Sequence, residues 1–249
     1  MSSLLILLLF AATAVQCRPD LEESMTTAQM IQHWGYPVES LDVLTEDGYI
    51  LSMLRIPHGR RNIDTNWSCS RPPVLLVHGL LADASEFVLN PPESSPGMIL
   101  ADAGFDVFLL NQRGTTHSQL HLNLTRDDPA FWKFSVDDFG KYDASAAVDK
   151  VLELNGAKSL YWVGHSQGTT TGFILLVQRP EYNSKVRALF QLTPAGTVTY
   201  SKGMFKAAVQ HKTAIKILLN LIGPHEIGLD APSFLGAAAR LLCPGQPKG

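Results

Sequence analysis

The pentapeptide Gly164-His165-Ser166-Gln167-Gly168 constrains this chain more than any other stretch. It is a G-x-S-x-G pattern with an apolar β-like run, LYWV, before it and a helical run, TTTGFILLVQ, after it. A serine on so tight a strand-to-helix turn must accept an uncommon backbone conformation. The flanking glycines remove Cβ atoms that would collide with neighbouring elements. The turn lifts the serine Oγ to the carboxyl end of a sheet, and the next helix aims its electropositive N-terminus at the same spot. Ser166 is therefore the candidate nucleophile.

The rest of the chain supplies the sheet that such a turn requires. Residues 38–43 and 49–56 are β-like runs separated by Thr45-Glu46-Asp47-Gly48, and Asp-Gly is a hairpin signal. The runs 73–78 (PVLLVH), 106–110 (DVFLL), 160–163 (LYWV) and 186–192 (VRALFQL) read as strands buried on both faces. Helices are expected over 98–103, capped by Gly104, over 136–154, ending at Asn155-Gly156, and over 169–178. Strands alternating with helices predict an α/β fold with a mostly parallel sheet. The sequence is 45% hydrophobic and 17% charged, so it has ample material for a core. A net charge of -3 with no basic block speaks against a nucleic-acid partner.

His78-Gly79-Leu80-Leu81 follows the run at 73–78. In folds with this serine turn, that loop donates one N–H to the oxyanion and the residue after the nucleophile donates the other. The expected donors are the backbone N–H groups of Leu80 and Gln167. His78 and His165 read as structural rather than as bases: the first precedes the glycine, the second adjoins Ser166 on a turn where neighbours point apart. Phe131, Trp132 and Phe134 read as a packed aromatic cluster. Asp127-Asp128 and Asp137-Asp138 read as loop ends and helix caps. No His/Cys spacing suggests a metal and no glycine-rich loop suggests a nucleotide, so no cofactor is expected.

The stretches GYPVESLDVLTEDGYILSMLRIPHGR, LLVHGLLADASEFVLN, ILADAGFDVFLLNQRG, KYDASAAVDKVLELNG and LYWVGHSQGTTTGFILL, in that order, resemble the animal acid lipases, the family of gastric and lysosomal acid lipase. The resemblance covers the N-terminal half or so of a family member. It implies an α/β-hydrolase fold with Ser166 as nucleophile and a cap domain after VRALFQL. It also implies hydrolysis of neutral-lipid esters, triacylglycerols or cholesteryl esters. One departure is Asn111-Gln112-Arg113-Gly114-Thr115-Thr116-His117, where family members usually have Asn-x-Arg-Gly-Asn and an aromatic. This questions the packing of that loop.

A serine hydrolase needs an acid and then a histidine after its nucleophile. After Ser166 the acids are Glu181, Glu226 and Asp230, and the histidines are His211 and His225. Glu181 alone precedes a histidine, and it sits at the wrong end of the expected sheet. The expectation is a hydrolase core that is incomplete at its C-terminus, with the acid and histidine of the triad downstream of Gly249. The rival reading is a secreted non-catalytic lipid-binding or regulatory relative. A peptidase or thioesterase on the same fold shares Ser166.

The organisation follows. Residues 1–17 lack charged side chains and carry a short apolar run at 4–12, as a secretory signal peptide does, with cleavage after Ala14 or after Cys17. Residues 28–195 are the N-terminal part of the hydrolase core, and 196–249 part of a helical cap. Asn66 and Asn123 begin N-glycosylation sequons. The expected location is the secretory pathway, ending in the lysosome or outside the cell. Residues 201–249 hold 6 Lys/Arg against 2 Asp/Glu. Within them 204–222 reads as an amphipathic helix, suited to packing as a cap or to meeting a lipid–water interface.

Overall fold

The computed structural model describes residues 21–61 and 71–197, together with positions 202, 206, 210, 211 and 213. The expected leader at 1–17, the sequon at Asn66, Cys69, Cys243, His225, Glu226, Asp230 and most of the cap at 196–249 lie outside the described residues. Within 204–222, Lys206, Gln210 and Thr213 are helical and exposed. All strands and helices below belong to one compact unit, Thr26–Glu226.

The strands are β1 Glu39–Leu44, β2 Tyr49–Ile56, β3 Pro73–Val77, β4 Asp106–Leu110, β5 Leu120–His121, β6 Leu160–His165 and β7 Val186–Leu192. The helices are α1 Thr27–His33, α2 Pro96–Asp102, α3 Val136–Asp138, α4 Ser145–Asn155 and α5 Gln167–Gln178. The sheet runs β1-β2-β4-β3-β6-β7, with β5 beside β2. The β1–β2 hairpin is antiparallel, closed by Gly48 at φ 96° where the Asp-Gly signal predicts it. β2 joins β4 antiparallel, and β4, β3, β6 and β7 are mutually parallel.

Every residue of β3 and β4 is buried, as expected of central parallel strands. Their side chains alternate between two cores. Leu75, Val77, Phe108 and Leu110 pack with Val148, Val151, Trp162 and Leu175 on one face. Val74, Leu76, Val107 and Leu109 pack with Ile31, Phe87 and Met98 on the other. The sheet thus has a helical layer on each side.

Three expectations are corrected. VRALFQL is not buried on both faces: in β7 only Val186 is buried, and Phe190 and Leu192 are 53% and 46% exposed. Among the described residues β7 pairs on one side only, so it is an edge strand. LYWV alternates buried and half-buried positions for a related reason, being next to that edge. The long helix expected over 136–154 is interrupted by a π-helical stretch, Phe139–Ala144. There Gly140 lies so close to α5 that a Cβ would come 2.4 Å from Ile174 Cγ2, and Asp143 is fully buried. A π turn carries one more residue than an α turn and so re-aims the side chains around it.

Candidate active site

The site is built where β3 and β6 end side by side, with Val77 opposite Gly164. Ser166 links β6 to α5 at φ 48°, ψ -111°. A non-glycine residue held there costs about 1–3 kcal/mol, which the surroundings must offset. Several contacts do so. Ser166 N–H donates to Leu192 O at 3.0 Å, and its carbonyl accepts from Thr169 N at 3.0 Å and Thr169 Oγ1 at 2.5 Å. The same Thr169 hydroxyl accepts from Ala195 N at 2.9 Å, tying the turn to the end of β7.

The glycines of the motif are there for close approach. A Cβ on Gly168 would lie 2.1 Å from Val77 O, and one on Gly164 would lie 2.5 Å from Gly168 O. Both obstacles are backbone atoms, which cannot swing aside.

A third glycine joins the loop after β3 to the serine turn. A Cβ on Gly79 would sit 3.1 Å from His165 Nδ1 and 3.2 Å from Ser166 Cβ. The next two residues form a turn closed by Ala82 N–H on Gly79 O at 3.3 Å, with Leu81 at φ 61°. Leu80 and Leu81 are 59% and 72% exposed. Gln167 opens α5, so its N–H has no carbonyl one turn earlier to donate to. The structure therefore brings Ser166, Gln167 and the Leu80 loop together around Gly79.

His78 is a buried strut. Its Nδ1 is 2.9 Å from Gly79 O, and its Nε2 accepts from Gln112 N–H at 3.1 Å. That pattern fits one neutral tautomer, with the proton on Nδ1. Burial pushes its pKa below the usual histidine range, which favours the neutral ring. Gln112 also donates Nε2–H to His78 O at 3.2 Å and accepts from Thr171 Oγ1 at 2.7 Å, joining β3, β4 and α5 under the site.

His165 Nδ1 pairs with Glu86, whose other oxygen accepts Gly79 N–H at 3.0 Å. Glu181 lies in the turn Pro180–Ser184 before β7, away from Ser166, and pairs with Arg179 Nε at 2.7 Å. Among the described residues Ser166 Oγ is hydrogen-bonded to no histidine, and no cluster of three metal-binding side chains occurs. Asn123 is exposed, and His211 is also exposed.

The atypical loop after β4 is well packed. Gly114 takes φ 82°, its N–H donates to Ser118 O at 3.2 Å, and Thr115 Oγ1 donates to Gln112 O at 2.9 Å. Arg113 turns inward: Nε donates to Asp143 Oδ1 at 2.7 Å, and Nη1 and Nη2 grip Asp47 at 2.6 and 2.9 Å. The guanidinium stacks over Tyr49 at 4.0 Å, and Tyr49 packs on Phe131 and Phe134, the expected aromatic cluster. Ser135 and Asp138 form a capping box, and Asp128 accepts Ala130 N–H, as caps and loop ends should.

These contacts place the chemistry on a frame that known proteins share. Residues 72–211 match the family described as alpha/beta hydrolase fold, and residues 27–91 match the partial alpha/beta-hydrolase lipase region. The chain belongs to the α/β-hydrolase family. A candidate epoxide hydrolase from Pseudomonas aeruginosa superposes with a TM-score of 0.50 at 21% identity, covering 84% of this chain and 60% of that one, which supports the fold alone.

Curated relatives are nearer in sequence. Bovine gastric triacylglycerol lipase is 47% identical over 184 residues, 74% of this chain and 46% of the relative. Human lipase member K is 43% identical over 209 residues, 83% of this chain and 52% of the relative. Human lysosomal acid lipase/cholesteryl ester hydrolase is 46% identical over 181 residues, 73% and 45% respectively. The resemblance to acid lipases thus holds, and the chain spans about half the length of these relatives.

Proposed function

We propose that this α/β-hydrolase acts on carboxylic esters of neutral lipids, triacylglycerol or cholesteryl ester, with Ser166 as nucleophile. Ser166 Oγ attacks the ester carbonyl, and the alcohol leaves as the acyl-serine forms. Water then releases the fatty acid. The N–H groups of Leu80 and Gln167 hold the negative charge that develops on the carbonyl oxygen, aided by the N-terminus of α5. The reaction requires a histidine base oriented by a carboxylate. His78 is sealed under the site and His165 is paired with Glu86, so neither fills that role.

The observation that carries this reading is the strained Ser166 between two glycines with no room for a Cβ. A backbone outlier kept at this cost points to a functional demand. Names of the relatives, gastric triacylglycerol lipase and lysosomal acid lipase/cholesteryl ester hydrolase, support the substrate class. In this reading the chain enters the secretory pathway, is glycosylated at Asn66 and Asn123, and meets lipid–water interfaces through 204–222.

The test is hydrolysis of triolein and cholesteryl oleate emulsions by the native protein, beside a peptide and a thioester. Release of fatty acid from either emulsion, lost in Ser166→Ala, is the expected result. Cleavage of peptide or thioester alone would overturn the substrate class. No turnover of any of them by a folded protein would favour a lipid-binding or regulatory role.

A further inference from the structure

We propose that Glu86 is a positioning residue for the oxyanion site, bracing the Leu80 loop against the turn that carries Ser166. The inference rests on the reading of Ser166 as nucleophile. Its basis is one carboxylate that bridges two segments: one oxygen accepts Gly79 N–H at 3.0 Å, and the other pairs with the ring of His165, the residue before Ser166.

The geometry explains why such a brace matters. Gly79 C=O and Leu80 N–H belong to one peptide plane, so fixing the carbonyl in one direction aims the N–H in the opposite one. His78 Nδ1–H and Ala82 N–H both hold that carbonyl, at 2.9 and 3.3 Å. Glu86 holds the preceding N–H of the same residue. Gly79 has no side chain to anchor it, and the turn that follows is exposed at Leu80 and Leu81. Both of its peptide groups must therefore be held from outside.

Glu86 is suited to this because its own backbone is fixed. It lies in the turn Ala84–Phe87, capped by Asp83 through a 2.8 Å bond from Ser85 N–H. Ala84 N–H donates to the buried Asn111 side chain at 2.9 Å, and Phe87 is buried in the core. A carboxylate near a developing oxyanion would oppose it, unless its charge is engaged elsewhere. Here one oxygen accepts Gly79 N–H and the other lies against the His165 ring, so both face groups other than the reacting carbonyl. Glu86 does not itself touch the reacting atoms.

The experiment compares Glu86→Ala and Glu86→Gln with the unchanged protein on a water-soluble short-chain ester, and follows amide hydrogen exchange at Gly79 and Leu80. Glutamine keeps the length of the side chain and an oxygen that can accept Gly79 N–H, so it serves as the rescue. Loss of precise orientation costs about 10- to 100-fold in such sites. Glu86→Ala should lower kcat by about that factor with KM within about twofold, and should speed exchange at Gly79 and Leu80 while the sheet stays protected. Glu86→Gln should recover most of both. Unchanged kcat and unchanged exchange in Glu86→Ala would overturn the role of Glu86 alone. An inert unchanged protein would overturn the hydrolase reading and this role with it. Exchange faster throughout the sheet would also overturn it, by showing a general loss of stability.

Discussion

Gly168 shows how narrowly single residues are specified around Ser166. A methyl group there would meet the carbonyl oxygen of Val77 at 2.1 Å, inside a fully buried strand. Gly168→Ala must therefore push α5 away from β3 or shift the end of β3. Overpacking of this kind costs about 1–3 kcal/mol. The expected outcome is an unfolding free energy lower by that amount, read from denaturant titration, with Ser166 unreactive even in the folded fraction. An alanine variant as stable and as reactive as the original would contradict the close-approach account. The pentapeptide announces both glycines from sequence. Gly79 is visible too, as the glycine after PVLLVH. Glu86 is not, because its contacts with Gly79 and His165 exist only once β3 and β6 lie side by side.

At the scale of elements, the β1–β2 hairpin is tied to the loop after β4 by Asp47 and Arg113. Burial pushes the Asp47 carboxyl up, but hydrogen bonds from Arg113 and Thr45 and the arginine charge outweigh it. Its pKa ends below the usual carboxylate value. A carboxyl group with a lowered folded pKa stabilises the fold above its unfolded pKa of about 4, and that contribution is lost as pH falls through the folded value. The stability gap between the protein and Asp47→Asn should be steady at about 1–3 kcal/mol above pH ~4 and shrink below it. Chemical denaturation across pH 2.5–7 reads this directly, with the pH window set by the carboxylate range. A gap that persists unchanged at the acid end would contradict it. The hairpin itself is legible from Asp47-Gly48, but the ion pair is not. Arg113 sits in a loop whose departure from the acid-lipase pattern draws attention to its packing, not to an inward turn. The π-helical stretch is hidden for a similar reason. The pattern over 136–154 has helical periodicity throughout, and only the contact of Gly140 with α5 and the burial of Asp143 accompany the break.

For the whole molecule, the parallel sheet and its helix layers follow from the alternation of apolar runs with helical ones. That reading succeeds at β3 and β4, whose residues are all buried, and overreaches at β7. A short apolar run carries no record of how many neighbours its strand will have. Central position is fixed by pairing, and β7 pairs only with β6 among the described residues. The frame sets Ser166 at the carboxyl end of β6, beside the end of β3, with the helix α5 behind it. This arrangement is what the α/β-hydrolase family uses to present a nucleophile. The proposed function requires Ser166 to be chemically activated there. The most direct measurement is reaction of the native protein with a fluorophosphonate, followed by mass mapping of the adduct. A single adduct on Ser166, absent in Ser166→Ala and after unfolding, is the expected result. A folded protein that leaves Ser166 unmodified while free serine-hydrolase controls react would contradict it.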